Sequence, residues 1–415
     1  MGHCRSALIL LLLALAPAAP SCRSSEGSEK DRTLRDLRQA VGATLPRVAS
    51  LIGASNAAPV NVTLMSRKEL SRFFKSSLDA EYPDHELTRR SRAFGEIGLL
   101  PAGYDMTDGL VALLQEQAGG LYDHRRNVMI GISDLPPESR RAIGDPMILS
   151  HELTHALQDQ AMDLGRHSEM ALKNIDYEYA VRALIEGMAS AVMVAHAQGR
   201  PLSTLPDLKT FWRSQMSRGK GSALEGSPAY LKEYLFSPYA EGGAFIQSWL
   251  AAHPGRPVAD LLSKVPASSE QVLHIEKYIQ NDAPAEIDLT RVRGMTPPGW
   301  ILVYANTLGE FDIWTLFRAH APTKDRAGAM AAGWDGCRFQ AYEQQDGRLA
   351  LFGASAWDSD LDAREFRDGF EIVLRAVRPS GDFATEQQGP RVGFVIGLDR
   401  GTARSAIMRS LMGLR

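Results

Sequence analysis

The stretch His151-Glu152-Leu153-Thr154-His155 places two imidazoles four residues apart, with a carboxylate directly after the first. Residues four apart lie on one face of a helix, so both rings can close on a single ion if this stretch is helical. Its surroundings ask for a helix. Asp145 is a capping residue and Pro146 suits a first turn. Met147, Ile148, Leu149, Leu153, Ala156, Leu157 and Ala161 recur at helical spacing, which predicts a helix over 146–162. Imidazole nitrogens suit zinc, and Glu152 beside the open side of one zinc ion is placed as general base toward a water whose pKa the metal lowers. With 10 His in 415 residues, such a pattern arises by chance on the order of once in a hundred chains. The competing reading is two partly buried histidines with no metal. It leaves two imidazoles and an unpaired Glu to be desolvated without compensation.

Two histidines and a water leave one protein ligand to be found, which requires a second element to meet the first. A third histidine in the metzincin pattern is excluded, because Gln158 and Ala161 stand at its Gly and His positions. The remaining route is a carboxylate on another helix, and 169–198 is a long Ala-rich run ending near Gly199. Glu186 sits in its middle among Ala183, Leu184, Ile185, Gly187, Met188 and Ala189, where an isolated charge wants a cation. Gly187 and Ala189 are small enough to let this helix approach the first. The alternative is a Glu186 paired with Arg182 one turn earlier. Glu178 and Asp176 are reserve ligands, nearer the polar start of the helix.

His151, Glu152 and His155 followed by Glu186 on a downstream helix resemble the gluzincin branch of the zincin metallopeptidases, the peptidase MA-like group. The resemblance covers roughly 59–250, and residues 151–160 are similar to uncharacterised secreted bacterial members. It implies an α+β fold, with a zincin-like domain of a small mixed sheet plus active-site helices. It also implies peptide hydrolysis with His151, His155 and Glu186 as zinc ligands and Glu152 as base. Related enzymes carry an Asp one turn after the glutamate ligand to orient a metal-bound His; here that position is Ser190, and Asp159 is a substitute or else an ordinary surface charge. They also have a Tyr that donates to the developing oxyanion, for which Tyr239 or Tyr234 is available. A different class of function remains open: an inactive zincin-fold envelope protein serving as an interaction platform, against which an intact Glu152 argues.

Arg5, the apolar run from Ala7 to Leu15 and the small residues before Cys22 read as a secretory signal over 1–22, too short for a bilayer span. The protein is expected to be exported, with Cys22 as a site of lipid attachment to the cell envelope or, alternatively, cleavage after Ala18. Of three cysteines only Cys337 would remain in the folded part, read as a half-buried structural thiol. The balance of 46 basic and 49 acidic residues excludes a polyelectrolyte such as nucleic acid as partner. Arg89-Arg90 and Arg125-Arg126 read as solvated clusters.

Residues 23–34, rich in Ser, Glu, Lys and Arg, read as a flexible tether, with folding from near Leu34. A catalytic domain is expected over 35–290. Within it, Val60 to Met65 reads as a strand leading to a helix from Ser66, and Leu121-Tyr122 with 128–132 as a hairpin. The second arm of that hairpin is either an edge strand that would take up an extended peptide or an ordinary internal strand. His124 in its turn is expected to be exposed, without a metal role. Residues 201–228 read as polar and broken, and Glu241 as a first-turn charge of a helix starting near it. Thr296-Pro297-Pro298-Gly299 marks a boundary, followed by a smaller α+β domain over 291–415 with strands at 339–342, 349–356 and 392–398 and a helix over 362–377. Asp358 and Asp360 read as capping rather than calcium-binding residues.

Overall fold

The computed structural model describes residues 26–406, except 56, 118, 135–143, 219–221, 291, 293–295 and 297. The expected signal segment 1–22 and Cys22 lie outside the described residues. The chain is α+β. Its first part runs α1 (Glu26–Ile52), β1 (Asn61–Met65), α2 (Arg67–Glu81), α3 (Glu86–Ile97), α4 (Met106–Gln117), β2 (Gly120–Asp123) and β3 (Val128–Ile132). The helical centre follows as α5 (Pro146–Ala161), α6 (Leu164–Ala171), α7 (Ile175–Gln198), α8 (Leu208–Arg218), α9 (Ser222–Gly226), α10 (Ala229–Ala252), α11 (Ser269–Leu273) and α12 (Ile275–Gln280). The last part comprises β4 (Ile301–Asn306), α13 (Glu310–Ala319), α14 (Ala327–Ala331), β5 (Trp334–Glu343), β6 (Leu349–Trp357), α15 (Asp360–Val377), β7 (Phe383–Gln388), β8 (Arg391–Ile396) and α16 (Arg400–Ala406).

Local chemistry sets several of these boundaries. Ser66 starts α2 with a capping box, its hydroxyl accepting from Glu69 N while Glu69 reaches back to Ser66 N. Asp145 caps α5 through Met147 N, with Pro146 in the first turn. The run expected as one helix over 169–198 is two. Asn174 breaks it by accepting from the N–H groups of Asp176 and Tyr177, and α7 then ends at Gly199 in the left-handed conformation. The expected tether is helical from Glu26 as part of α1, and Leu34 and Leu37 pack on the core. The segment 201–228, expected to be broken, contains α8 and α9.

The first sheet has the order β1-β3-β2, with β1 parallel and β2 antiparallel to β3. The 128–132 arm is therefore the internal strand, and its partner β2 lies at the edge. That edge is not open, because β2 is buried along its length beneath α5. His124, expected in solvent, is buried at the hairpin turn.

Helices α5, α7 and α10 form the centre of the molecule. The α7–α10 contact is a backbone approach, in which a Cβ added at Gly187 would stand 2.2 Å from the Gly242 carbonyl carbon and one at Gly242 would stand 1.9 Å from the Ala183 oxygen. Gly187 thus serves the packing of α7 on α10, whereas the sequence suggested an approach to the histidine helix. Pro238 lies inside α10, which places Glu241 in mid-helix rather than in a first turn. There Glu241 pairs with Lys209 at 2.7 Å and Arg213 at 2.9 Å.

The second sheet has the order β4-β5-β6-β8-β7, all neighbours antiparallel. One apolar cluster runs from Leu37 to Ile396 across the boundary expected near 296, and a second, with Leu289, Val292, Tyr342, Phe352 and Val395, belongs to the last part of the chain alone. Strand β4 joins the parts directly: the Tyr304 hydroxyl donates to Glu86 at 2.9 Å and Asn306 Oδ1 accepts from Ile175 N at 2.8 Å. Phe311 on α13 stacks on Tyr179 of α7 with ring centroids 4.0 Å apart. Cys337 is buried on β5, and burial pushes its thiol up to about 12, which keeps it protonated and inert. Asp358 pairs with Lys277 at 2.9 Å, and Ser359 rather than either Asp caps α15.

Gly242→Ala is expected to destabilise the protein by about 3 kcal/mol or more, because a methyl at this backbone contact forces the helices apart. Gly42→Ala, in α1 with nothing within 4 Å of the added carbon, should stabilise by about 0.5–1 kcal/mol. Denaturant unfolding of the two variants checks both signs.

Candidate metal centre

Helix α5 presents His151, Glu152 and His155 to α7, and all three are fully buried. Glu186 meets them from α7, its Oε2 lying 3.2 Å from His151 Nε2 and 3.7 Å from His155 Nε2. One ligand atom from each of His151, His155 and Glu186 lies within 4.8 Å of the other two, so the three could hold a metal ion. Zinc at about 2.0–2.1 Å from each tetrahedral ligand would separate them by roughly 3.3 Å. The buried polar atoms agree with that fit. His151 Nδ1 and Nε2, His155 Nε2 and Glu152 Oε1 have no hydrogen-bond partner, a costly state that a cation at the centre would relieve for the donor nitrogens.

The tautomer of His155 is set by the chain itself. Gln158 Nε2 donates to the Ile185 carbonyl at 3.0 Å, which fixes the amide so that its Oε1 faces His155 Nδ1 at 2.9 Å. Nδ1 must then carry the proton, and Nε2 turns a lone pair toward Glu186. Gln158, not Asp159, is thus the orienting group. Asp159 instead accepts from the Tyr122 hydroxyl at 2.9 Å. Ser190 does not replace the Asp of the related enzymes, since its buried Oγ makes no hydrogen bond. The spacing of Gln158 three residues after His155 on one helix was the available signal for its role.

Burial pushes His151 down to about 3. It pushes His155 down to about 4, with the Glu186 carboxylate opposing it in part. Both imidazoles are therefore neutral at pH 7 and ready to ligate. Glu152 is shifted well upward by burial and then by the Glu186 carboxylate, against the Tyr122 N–H that donates to its Oε2 at 2.7 Å. A nearby divalent cation would reverse that balance and keep Glu152 ionised. The Tyr122 contact is a main-chain one, with no side-chain signature in the sequence.

The remaining expected site residues divide clearly. Tyr239 is at the centre, its ring stacked on His151 at 5.8 Å and 13° and its hydroxyl hydrogen-bonded to Glu186. Burial and the Glu186 and Glu152 carboxylates push its pKa well up, so it stays a neutral donor. Tyr234 is elsewhere. Its hydroxyl donates to Glu178, which also accepts from Tyr82 at 2.7 Å and pairs with Arg90 at 2.9 Å. Glu178 is thereby excluded as a ligand. Arg90, expected in solvent, is fully buried between Glu178 and Glu86 because it neutralises both. Asp176 accepts from Ser269 N at 2.9 Å at the far end of α7 and is likewise no ligand. Arg182 makes no ion pair with Glu186; its guanidinium lies 4.1 Å over the Tyr234 ring. Helix α7 is long and apolar enough to cross a membrane, but it is buried as the core helix that carries Glu186.

A family model described as a domain of unknown function, DUF8575, matches residues 302–408, which begin in β4 and extend past α16. Among solved structures, the chain is similar to a candidate hydrolase with a novel fold from Chloroflexus aurantiacus, at 16% identity and a TM-score of 0.39, over 63% of this chain and 92% of that one. No curated protein matches the chain.

Gln158→Ala should lower metal affinity about 10- to 100-fold by freeing the His155 ring, measured by competition with a chromophoric chelator. The metal-free protein should lose stability as pH falls from about 6.5 toward 4. In that window the unfolded imidazoles, with pKa near 6.5, take protons that the folded ones at about 3 and about 4 refuse. The imidazole NMR signals of His151 and His155 should accordingly show neutral rings at pH 5.

Proposed function

We propose that the protein is an exported zinc-dependent metallopeptidase of the gluzincin type. The observation that carries this reading is the meeting of two neutral imidazoles and one carboxylate from α5 and α7, with the partnerless Glu152 Oε1 beside them. His151, His155 and Glu186 would hold one zinc ion, which when bound polarises a scissile carbonyl and lowers the pKa of a water. Glu152 takes the proton from that water and passes it to the departing amine. Its second oxygen is held by the Tyr122 N–H, so the free Oε1 is the atom that does this work. Tyr239, neutral and next to Glu186, is the donor available to the developing oxyanion. Hydrolysis as the broad reaction class is in keeping with the likeness to a candidate hydrolase, and the peptide bond as its target rests on the resemblance of 151–160 and Glu186 to gluzincins. Export, with lipid attachment at Cys22 as the membrane contact, belongs to the same proposal and rests on the signal-like residues 1–22.

Peptide hydrolysis by the purified protein should fall about 100- to 10,000-fold in Glu152→Gln, with zinc content unchanged. Chelation should abolish it and added zinc restore it. Equal cleavage by wild type, Glu152→Gln and chelated protein would reject the mechanism. Stoichiometric zinc without any cleavage would favour a non-catalytic platform.

A further inference from the structure

Strand β2, at the edge of the first sheet, runs along one stripe of α5. Ile148, Glu152 and Asp159 fall within about 40° of one another around that helix, and β2 touches all three. At Gly120 an added Cβ would stand 3.4 Å from Ile148 Cγ2, so the strand begins in close contact with the helix. Tyr122 then makes two hydrogen bonds to the same helix. Its N–H donates to Glu152 Oε2 at 2.7 Å, and its hydroxyl donates to Asp159 Oδ2 at 2.9 Å. Seven residues span about 10.5 Å of helix, so one tyrosine bridges two turns of α5. Asn127 Oδ1 lies 3.0 Å from the same hydroxyl. A hydroxyl has one proton, and turning the amide makes Asn127 the donor in that contact. Burial and then the Asp159 carboxylate push the phenol well above its usual range, which keeps it a neutral donor.

Any residue at 122 would supply the N–H that holds Glu152, whose carboxylate has no other hydrogen bond among the described residues. What the tyrosine adds is a second attachment. Without it, a four-residue edge strand fixes that N–H poorly. We propose that the Tyr122 hydroxyl, seated on Asp159, is a positioning group for Glu152: it clamps the hairpin to α5, so that the Tyr122 N–H fixes one carboxylate oxygen and leaves Oε1 as the one to take a proton. The proposal rests on the reading of Glu152 as the base, and it assigns Tyr122, Asp159 and Asn127 to the support of that base rather than of the histidines.

The test begins with amide hydrogen exchange in the zinc-loaded protein. In Tyr122→Phe and in Asp159→Ala the amide of residue 122 should exchange about 10-fold faster than in wild type, while the amides that bond β2 to β3 keep their rates. Asp159→Asn, which retains an acceptor, should stay near wild type. On an internally quenched peptide that the wild type cleaves, Tyr122→Phe should lower kcat about 10- to 100-fold with KM and zinc content unchanged. Adding it to Asp159→Ala or to Glu152→Gln should lower turnover no further, because all three act through one carboxylate. Exchange at 122 as slow as in wild type overturns the proposal, and so does a loss of turnover that persists undiminished in Glu152→Gln. Faster exchange throughout β2 and β3, with a lower melting temperature, marks a merely structural tie and overturns it as well. Cleavage that Glu152→Gln leaves intact defeats the reading of Glu152 as base, and exchange at 122 then still decides whether the hydroxyl holds this carboxylate. Cleavage lost in Glu152→Gln but unchanged in Tyr122→Phe defeats the positioning role alone.

Discussion

Two buried imidazoles and a buried carboxylate converge where α5 crosses α7, and the rest of the molecule is arranged around the cost of that convergence. Lone pairs removed from water need a donor or a cation, and the histidine nitrogens that face Glu186 have no hydrogen bond. The surroundings hold this state in place. Asp145 and Asn174 cap the two helices, Gln158 ties His155 to the backbone of the opposite helix, and the glycine contact with α10 leaves α7 no room to slide. The three side chains are thus held in place by the packing of the chain itself.

A second buried polar system lies on the same helix toward its N-terminus. Glu178 collects Arg90, Tyr82 and Tyr234, while Glu86 shares Arg90 and accepts from Tyr304 on β4. Because β4 belongs to the second sheet, this ion cluster couples the matched DUF8575 stretch to the helix that carries Glu186. Asn306 makes the same link at the start of α7. The two parts share one apolar cluster, and the last part has a second of its own.

Much of this was legible in the sequence, and the remainder failed for identifiable reasons. His151, His155 and Glu186 come together because their spacing and burial patterns are local properties of two helices. The helix over 146–162, the hairpin and the strands expected at 339–342, 349–356 and 392–398 follow from capping and alternation in the same way, whereas β4 and β7 were not read. Arg90 was misjudged because its neutralising partner Glu178 lies far along the chain, so that a residue reading as solvated is wholly buried. Glu241 was misplaced because Pro238 reads as a helix start, yet α10 passes through it. The order of the first sheet was open because alternation identifies strands without identifying their neighbours. The Tyr122 and Ile185 contacts use main-chain atoms, which any residue would supply.

The anchoring of Glu152 to the edge strand separates two jobs that are usually thought of together. His151, His155 and Glu186 are held by helix-to-helix packing, whereas one oxygen of Glu152 hangs from the hairpin through Tyr122 N. A disturbance of the hairpin, for example at Asn127, whose left-handed backbone turns the chain into β3, would rotate that carboxylate while sparing the grouping of His151, His155 and Glu186. One carboxylate can thus be turned without moving the imidazoles beside it.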